Sequence, residues 1–300
     1  MELVWTQNSV PQFLAIAILV YSLVTWTGMF FFGPEKWLSN CEIFTIIFEL
    51  FGKFAPIVRD NSGRLLLRPI AIGLQSSAPL TFPMTVLIIT LLATVTFDGF
   101  LHTPTWQAIY NWGFGLGYEI SLVSTFGNQF VRTLIMTAGL LLFPLGFFCI
   151  YLATCFLTGK LLSSGNNQKC DPVYLATRLI LSLVPIAIAY HLSHYLSLLM
   201  FDGQRIFPLL SDPFGIGWNL FNTAYWEPDI SVLNAKFLWG FAFFAIVSGH
   251  IAALYLTQRS ENSLFPDLIK IWVFRLPMLV LMVGYTILSL WILAQPIVET

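Results

Sequence analysis

The chain has 300 residues and a formal net charge of −1, with 57% hydrophobic and only 10% charged residues, against roughly 45–50% and 25% in soluble domains. So little charge cannot cover a soluble surface of this size, and the lack of long basic runs excludes a nucleic-acid binder. Four cysteines are too few for a disulfide-stapled secreted fold, which leaves an integral membrane protein.

A bilayer core of about 30 Å takes roughly 20 helical residues to cross. Six runs qualify, at about 13–32, 82–101, 130–157, 174–201, 237–256 and 271–293. Each is apolar on every face, as a lipid-embedded helix is, and none alternates like a barrel strand. The expected fold is all-α, a polytopic transmembrane helical bundle making one domain over residues 1–300.

The first run is not a signal peptide. Glu2 is the only charge before it, and Met29-Phe30-Phe31-Phe32 is no small-residue cleavage site. Next, Ser39-Asn40-Cys41-Glu42 reads as a capping box opening an amphipathic helix over about 40–54. Glu42, Thr45, Glu49 and Lys53 share one face, and Ile43, Phe44, Ile47, Phe51 and Phe54 the other. That pattern predicts a helix lying on the inner membrane surface. After the second span, Trp106, Tyr110, Trp112 and Tyr118 form an interfacial aromatic set. Pro144, Pro185 and Pro277 predict kinks in three spans, and Gly240, Ala245 and Gly249 predict close packing of the fifth. The loop Asp202–Ala235 is expected to be ordered.

Basic residues give the orientation. Lys36, Lys53, Arg59, Arg64 and Arg68, then Lys160, Lys169 and Arg178, then Arg259, Lys270 and Arg275 fall in alternate loops. Only Arg132, Arg205 and Lys236 fall on the other side. By the positive-inside rule the first, third and fifth loops are cytoplasmic and both termini lie outside, the layout of a multi-pass protein of the inner (plasma) membrane. Cys41, Cys149, Cys155 and Cys170 then all lie on the reducing inner side.

Ionisable groups at membrane depth are costly and functional by default. Asp98 lies near the outer end of the second span, with His102 one turn later; His191 and His194 lie in the fourth span and His250 in the fifth. His191 and His194, three residues apart, share a helix face. At 1.5 Å per residue, His194 is about 12 Å and His191 about 16 Å inside the boundary at Asp202, and His250 about 21 Å from Lys236. An i,i+3 histidine pair, a third imidazole and a carboxylate are the ligand types of a divalent transition metal, Zn, Fe, Mn or Cu. The expectation is a metal site of His191, His194, His250 and Asp98 in the outer half of the bundle, with Asp98 ligating or orienting an imidazole. Haem b held between facing histidines is the alternative cofactor. The plainer reading gives each histidine an interhelical hydrogen bond and has Asp98 cap its helix or pair with Arg132. No P-loop, nucleophile elbow or haem-attachment motif is present.

Several blocks also carry a resemblance. These are Phe97-Asp98-Gly99 with Thr103-Pro104-Thr105-Trp106, Pro185 through Tyr190-His191 and His194-Tyr195, and Ser211-Asp212-Pro213-Phe214-Gly215-Ile216-Gly217-Trp218. Gly249-His250, Leu276-Pro277-Met278-Leu279, Tyr285-Thr286, Trp291 and Gln295-Pro296 complete them. Together, over about 45–297, they resemble the fenitrothion hydrolase-like family of polytopic integral membrane proteins. The resemblance implies a multi-pass fold and, by the family's name, hydrolysis of organophosphate esters. It carries no established catalytic residues, but Asp98, His191, His194, Asp212 and His250 all lie in the matching blocks.

Three functions follow as expectations. The first is a metal-dependent hydrolase or oxidoreductase acting on a small apolar substrate, its site covered by the loop around Asp212–Trp218. The second is a proton- or cation-coupled transporter, which needs polar groups continuing to the inner face, where the spans offer few. The third is a non-catalytic subunit of a larger membrane complex, with other membrane subunits as partners. The lipid bilayer is the partner common to all three.

Overall fold

A long apolar run in lipid has no partner for its backbone but itself, and helices result. The computed structural model describes residue 4 and residues 11–60, 62–75, 80–166, 171–229, 234–264 and 271–295. In chain order come α1 (Pro11–Phe32), α2 (Pro34–Asn40), α3 (Ile43–Gly52), β1 (Ile57–Arg59), β2 (Leu65–Leu67), α4 (Phe82–Leu101), α5 (Pro104–Glu119) and α6 (Leu122–Phe126). They are followed by α7 (Asn128–Asn166), α8 (Pro172–Leu179), α9 (Val184–Phe201), α10 (Ile206–Ser211), α11 (Ala235–Leu264) and α12 (Ile271–Ala294). Among the described residues, six helical stretches are long and apolar enough to cross a membrane: Gln12–Phe32, Phe82–Leu101, Asn128–Leu162, Pro172–Ser211, Lys236–Ser260 and Arg275–Ala294. These coincide with the six expected runs. Cys170, Lys169 and Lys270, used above for orientation, lie outside the described residues.

The fourth span is the centre of the bundle. Its most apolar stretch is 78% buried, against 6% for the first span. Ile180, Leu183, Val184 and Ile186 are fully buried there, against Ile88, Ile89 and Leu92 of α4. The span is also discontinuous. Pro185 has no N–H to give the carbonyl of Leu181 and its ring would crowd it. The backbone accordingly passes through a 3-10 segment, Ile180–Leu183, and α9 restarts with Pro185 in its first turn. Pro144 and Pro277 lie inside α7 and α12 as expected.

Glycine decides how closely α11 approaches this centre. A Cβ at Gly249 would stand 2.6 Å from Ala189 Cβ and 2.9 Å from the Pro185 carbonyl oxygen, so only glycine permits the contact. Gly240 has nothing within 4 Å and is not a packing residue, contrary to the sequence expectation.

Two expectations about the first loop change. Pro34 opens a short helix of its own through Ser39 and Asn40, so Glu42, not Ser39, is the N-cap of α3. Phe51 of α3 packs edge-on against His191, ring centroids 5.9 Å apart. Thus α3 lies at the height of His191, about 10 Å along α9 from that helix's first residue at 1.5 Å per residue. The apolar face seen in the sequence therefore docks on protein through Phe51. A small antiparallel hairpin follows, pairing Ile57 with Leu67 and Arg59 with Leu65. Its turn is built by Asp60, whose carboxylate accepts from Ser62 N (2.8 Å) and Arg64 N (2.9 Å).

The Glu42 carboxylate accepts from Phe44 N (3.1 Å) and Thr45 N (2.5 Å), from the Thr45 hydroxyl, and from the Tyr21 phenol of α1. The Thr45 side-chain bond is the main reason its pKa lies below the usual 4.5. A carboxylate depressed on docking contributes stability that is complete above 4.5 and is lost as the pH falls through its folded value. We expect the amides of Phe44 and Thr45 to lose hydrogen-exchange protection, relative to an unstructured reference, as the pH drops below 4.5. Glu42→Gln should weaken that protection at neutral pH and abolish its pH dependence; unchanged protection in both cases would rule the cap out.

Candidate functional site

Two helices running the same way present the site. Leu80 N donates to Thr177 O (3.0 Å), which sets the start of α4 beside α8. Counted from that contact, Asp98 is 18 residues along and His194 17, so the two side chains arrive at one height. His194 Nε2 lies 2.5 Å from Asp98 Oδ2, and the side chains keep 30% and 22% of their exposure. A carboxylate oxygen in this contact accepts, so Nε2 carries the proton. The structure therefore gives Asp98 a histidine partner and not Arg132.

The remaining histidines are engaged differently. His191 Nδ1 donates to the Ala187 carbonyl oxygen at 2.8 Å. Because a carbonyl only accepts, the neutral ring presents its lone pair at Nε2. The His191 ring lies between Phe51 and Tyr195, at centroid distances of 5.9 and 6.0 Å. His250 Nδ1 likewise donates to Ile246 O at 2.8 Å, and its Nε2 is buried with no hydrogen-bond partner. Among the described residues no three His, Cys, Asp or Glu side chains come close enough together to hold a metal ion. Of the four expected ligands, the structure unites Asp98 and His194 and leaves His250 apart from them.

No protein-family model, curated protein or solved structure matches this chain.

Haem fits poorly between α9 and α11. The near-contact of Gly249 with Pro185 and Ala189 leaves no gap for a macrocycle where those helices meet. Asp212 is accounted for by its own loop, accepting from Ile216 N (3.0 Å) and Gly217 N (2.8 Å). Gly215 and Gly217 there have φ of 66° and 86°, the left-handed backbone that glycine adopts freely. Those bonds close the Asp212–Gly217 turn upon itself.

Four residues near the pair escaped the sequence reading. Thr96, Tyr190, Tyr285 and Ser289, from α4, α9 and α12, line one small interior cavity. Thr96 and Tyr190 stand two residues before Asp98 and four before His194. That proximity in sequence to Asp98 and His194 was the available signal. Elsewhere along α4, Phe100, Trp106, Trp112 and Leu142 line an apolar groove of about 410 Å³ between α4, α5 and α7.

Proposed function

We propose that this is a multi-pass membrane protein that conducts protons, with Asp98 and His194 as the proton-exchanging site. The observation that carries this reading is the hydrogen-bonded carboxylate–imidazole contact between two spans, with both side chains keeping part of their exposure. An imidazole can take a proton at one ring nitrogen and release it at the other, and a carboxylate beside it holds the ring in place. The 3-10 segment Ile180–Leu183 is a point where the central span can bend, which supports a transport function. The cytoplasmic loops and outward termini given by the basic residues belong to the same proposal.

The test uses purified protein in liposomes loaded with a pH-reporting dye, the membrane potential clamped with potassium and valinomycin. An imposed pH gradient should dissipate several-fold faster than in protein-free vesicles. Asp98→Asn and His194→Gln should each return it to the protein-free rate. Wild-type vesicles no faster than empty ones would sink the proposal.

A second reading, a metal-dependent hydrolase or oxidoreductase, draws on two observations. The Nδ1 bond of His191 leaves Nε2 open in the manner of metal-ligating histidines, and the 410 Å³ groove beside α4 suits an apolar substrate. It predicts stoichiometric Zn, Fe, Mn or Cu in purified protein; none by elemental analysis rejects it.

A further inference from the structure

The cavity lined by Thr96, Tyr190, Tyr285 and Ser289 has about 10 Å³ of room for the centre of a water molecule, near the minimum that holds one. Its polar walls have a defined hydrogen-bond balance. The Thr96 hydroxyl donates to Leu92 O at 2.7 Å and the Ser289 hydroxyl to Tyr285 O at 2.5 Å. Both protons are thereby committed, and each oxygen can only accept from the cavity. Tyr190 Oη, in a residue only 7% exposed, is buried close to the Thr96 and Ser289 hydroxyls but makes no well-aligned hydrogen bond to either. No charged side chain lines the space, so a dehydrated cation would find no counter-charge. A molecule with two donors and an acceptor, small and neutral, is what these walls match.

We propose that this cavity binds a single water molecule, which accepts from the Tyr190 hydroxyl and donates to Thr96 and Ser289. It tethers α4, α9 and α12, and through Tyr190, one helical turn before His194 on α9, it extends the Asp98–His194 site. Its part in conduction rests on the proposed function; its presence does not. Beyond it, Tyr285 on the cavity wall faces Cys155 and Tyr151, whose phenol donates to Ala176 O of α8 at 2.8 Å. Buried hydroxyl and thiol groups therefore do continue inward, which the sequence alone did not reveal. A proton passes when Tyr190 gives its own proton to the water and regains one from the His194 side, the water gives one to Tyr285, and Tyr285 gives its own onward toward Cys155, so each group ends with the number it began with.

The test is a map of the lipid-embedded protein at a resolution that shows ordered water, for wild type and Tyr190→Phe. A peak within hydrogen-bond distance of Tyr190, Thr96 and Ser289 is expected in wild type, weakened or lost in the variant. An empty cavity, or a peak that follows sodium concentration, overturns the water site. In the liposome assay Tyr190→Phe and, separately, Ser289→Ala should slow proton flux at least five-fold while eluting as wild type. Full flux in both, with the wild-type peak present, overturns the route but leaves Asp98–His194 standing. No flux in wild type defeats the proposed function, and the map alone then decides the water.

Discussion

Gly249→Leu should detach α11 from the centre of the bundle and leave little folded protein in detergent, while Gly240→Leu elutes like wild type. At Gly249 the first added carbon would already stand 2.6 Å from Ala189 Cβ and 2.9 Å from the Pro185 carbonyl oxygen. One of those neighbours is backbone, fixed by the helix that begins at Val184, and it cannot move aside like a side-chain tip. Overpacking a tight contact costs about 1–3 kcal/mol and at times more. Here the obstructing atoms all belong to α9 and the central helix must move to relieve them, so the upper end applies. Alanine should be milder than valine, and valine milder than leucine, in thermal unfolding midpoint. At Gly240 nothing lies within 4 Å, and Ala there should stabilise the helix by up to about 1 kcal/mol through propensity. Equal melting of the two series would show that the α9–α11 approach is not set by glycine.

The six spans were legible because length and unbroken apolarity are enough to specify a helix in lipid, whatever its neighbours do. The same self-sufficiency hides the pairing. Nothing in Phe97-Asp98-Gly99 says which helix Asp98 faces, since that depends on the offset fixed between Leu80 and Thr177 and on the rotation of both helices. His250 looked like a ligand because an imidazole in a span has few other uses. Its Nδ1 bond to Ile246, four residues back, leaves Nε2 open as at His191, so what sets His250 apart is its place on α11 and not its bonding. Thr96 and Ser289 were passed over because their hydroxyls bond i−4 carbonyls, as span hydroxyls commonly do. Only their convergence with Tyr190 makes them a site. Glu42 was misplaced by one role: the residues of a capping box were present, but Pro34 had already started a helix that absorbed Ser39.

Removing either member of the Asp98–His194 pair should cost nearly what removing both costs. Asp98→Asn leaves His194 with a weaker acceptor, and His194→Gln leaves the carboxylate without the ring nitrogen now 2.5 Å away. A hydrogen bond to a charged group contributes about 1.5–3 kcal/mol. With 22% and 30% of the side-chain surfaces still open, solvent screening puts the coupling toward the lower figure. In a double-mutant cycle on unfolding free energy, the double variant should therefore fall short of the summed single effects by about that amount. Proton flux should behave more sharply, because a relay fails when any link is gone: each single variant reaches the protein-free rate and the double variant adds nothing. Strictly additive stabilities would mean that the two side chains sit side by side without acting together. Residual flux in Asp98→Asn that disappears only with His194→Gln would move the exchanging role to the imidazole alone, with Asp98 positioning it through the carboxylate contact across α4 and α9.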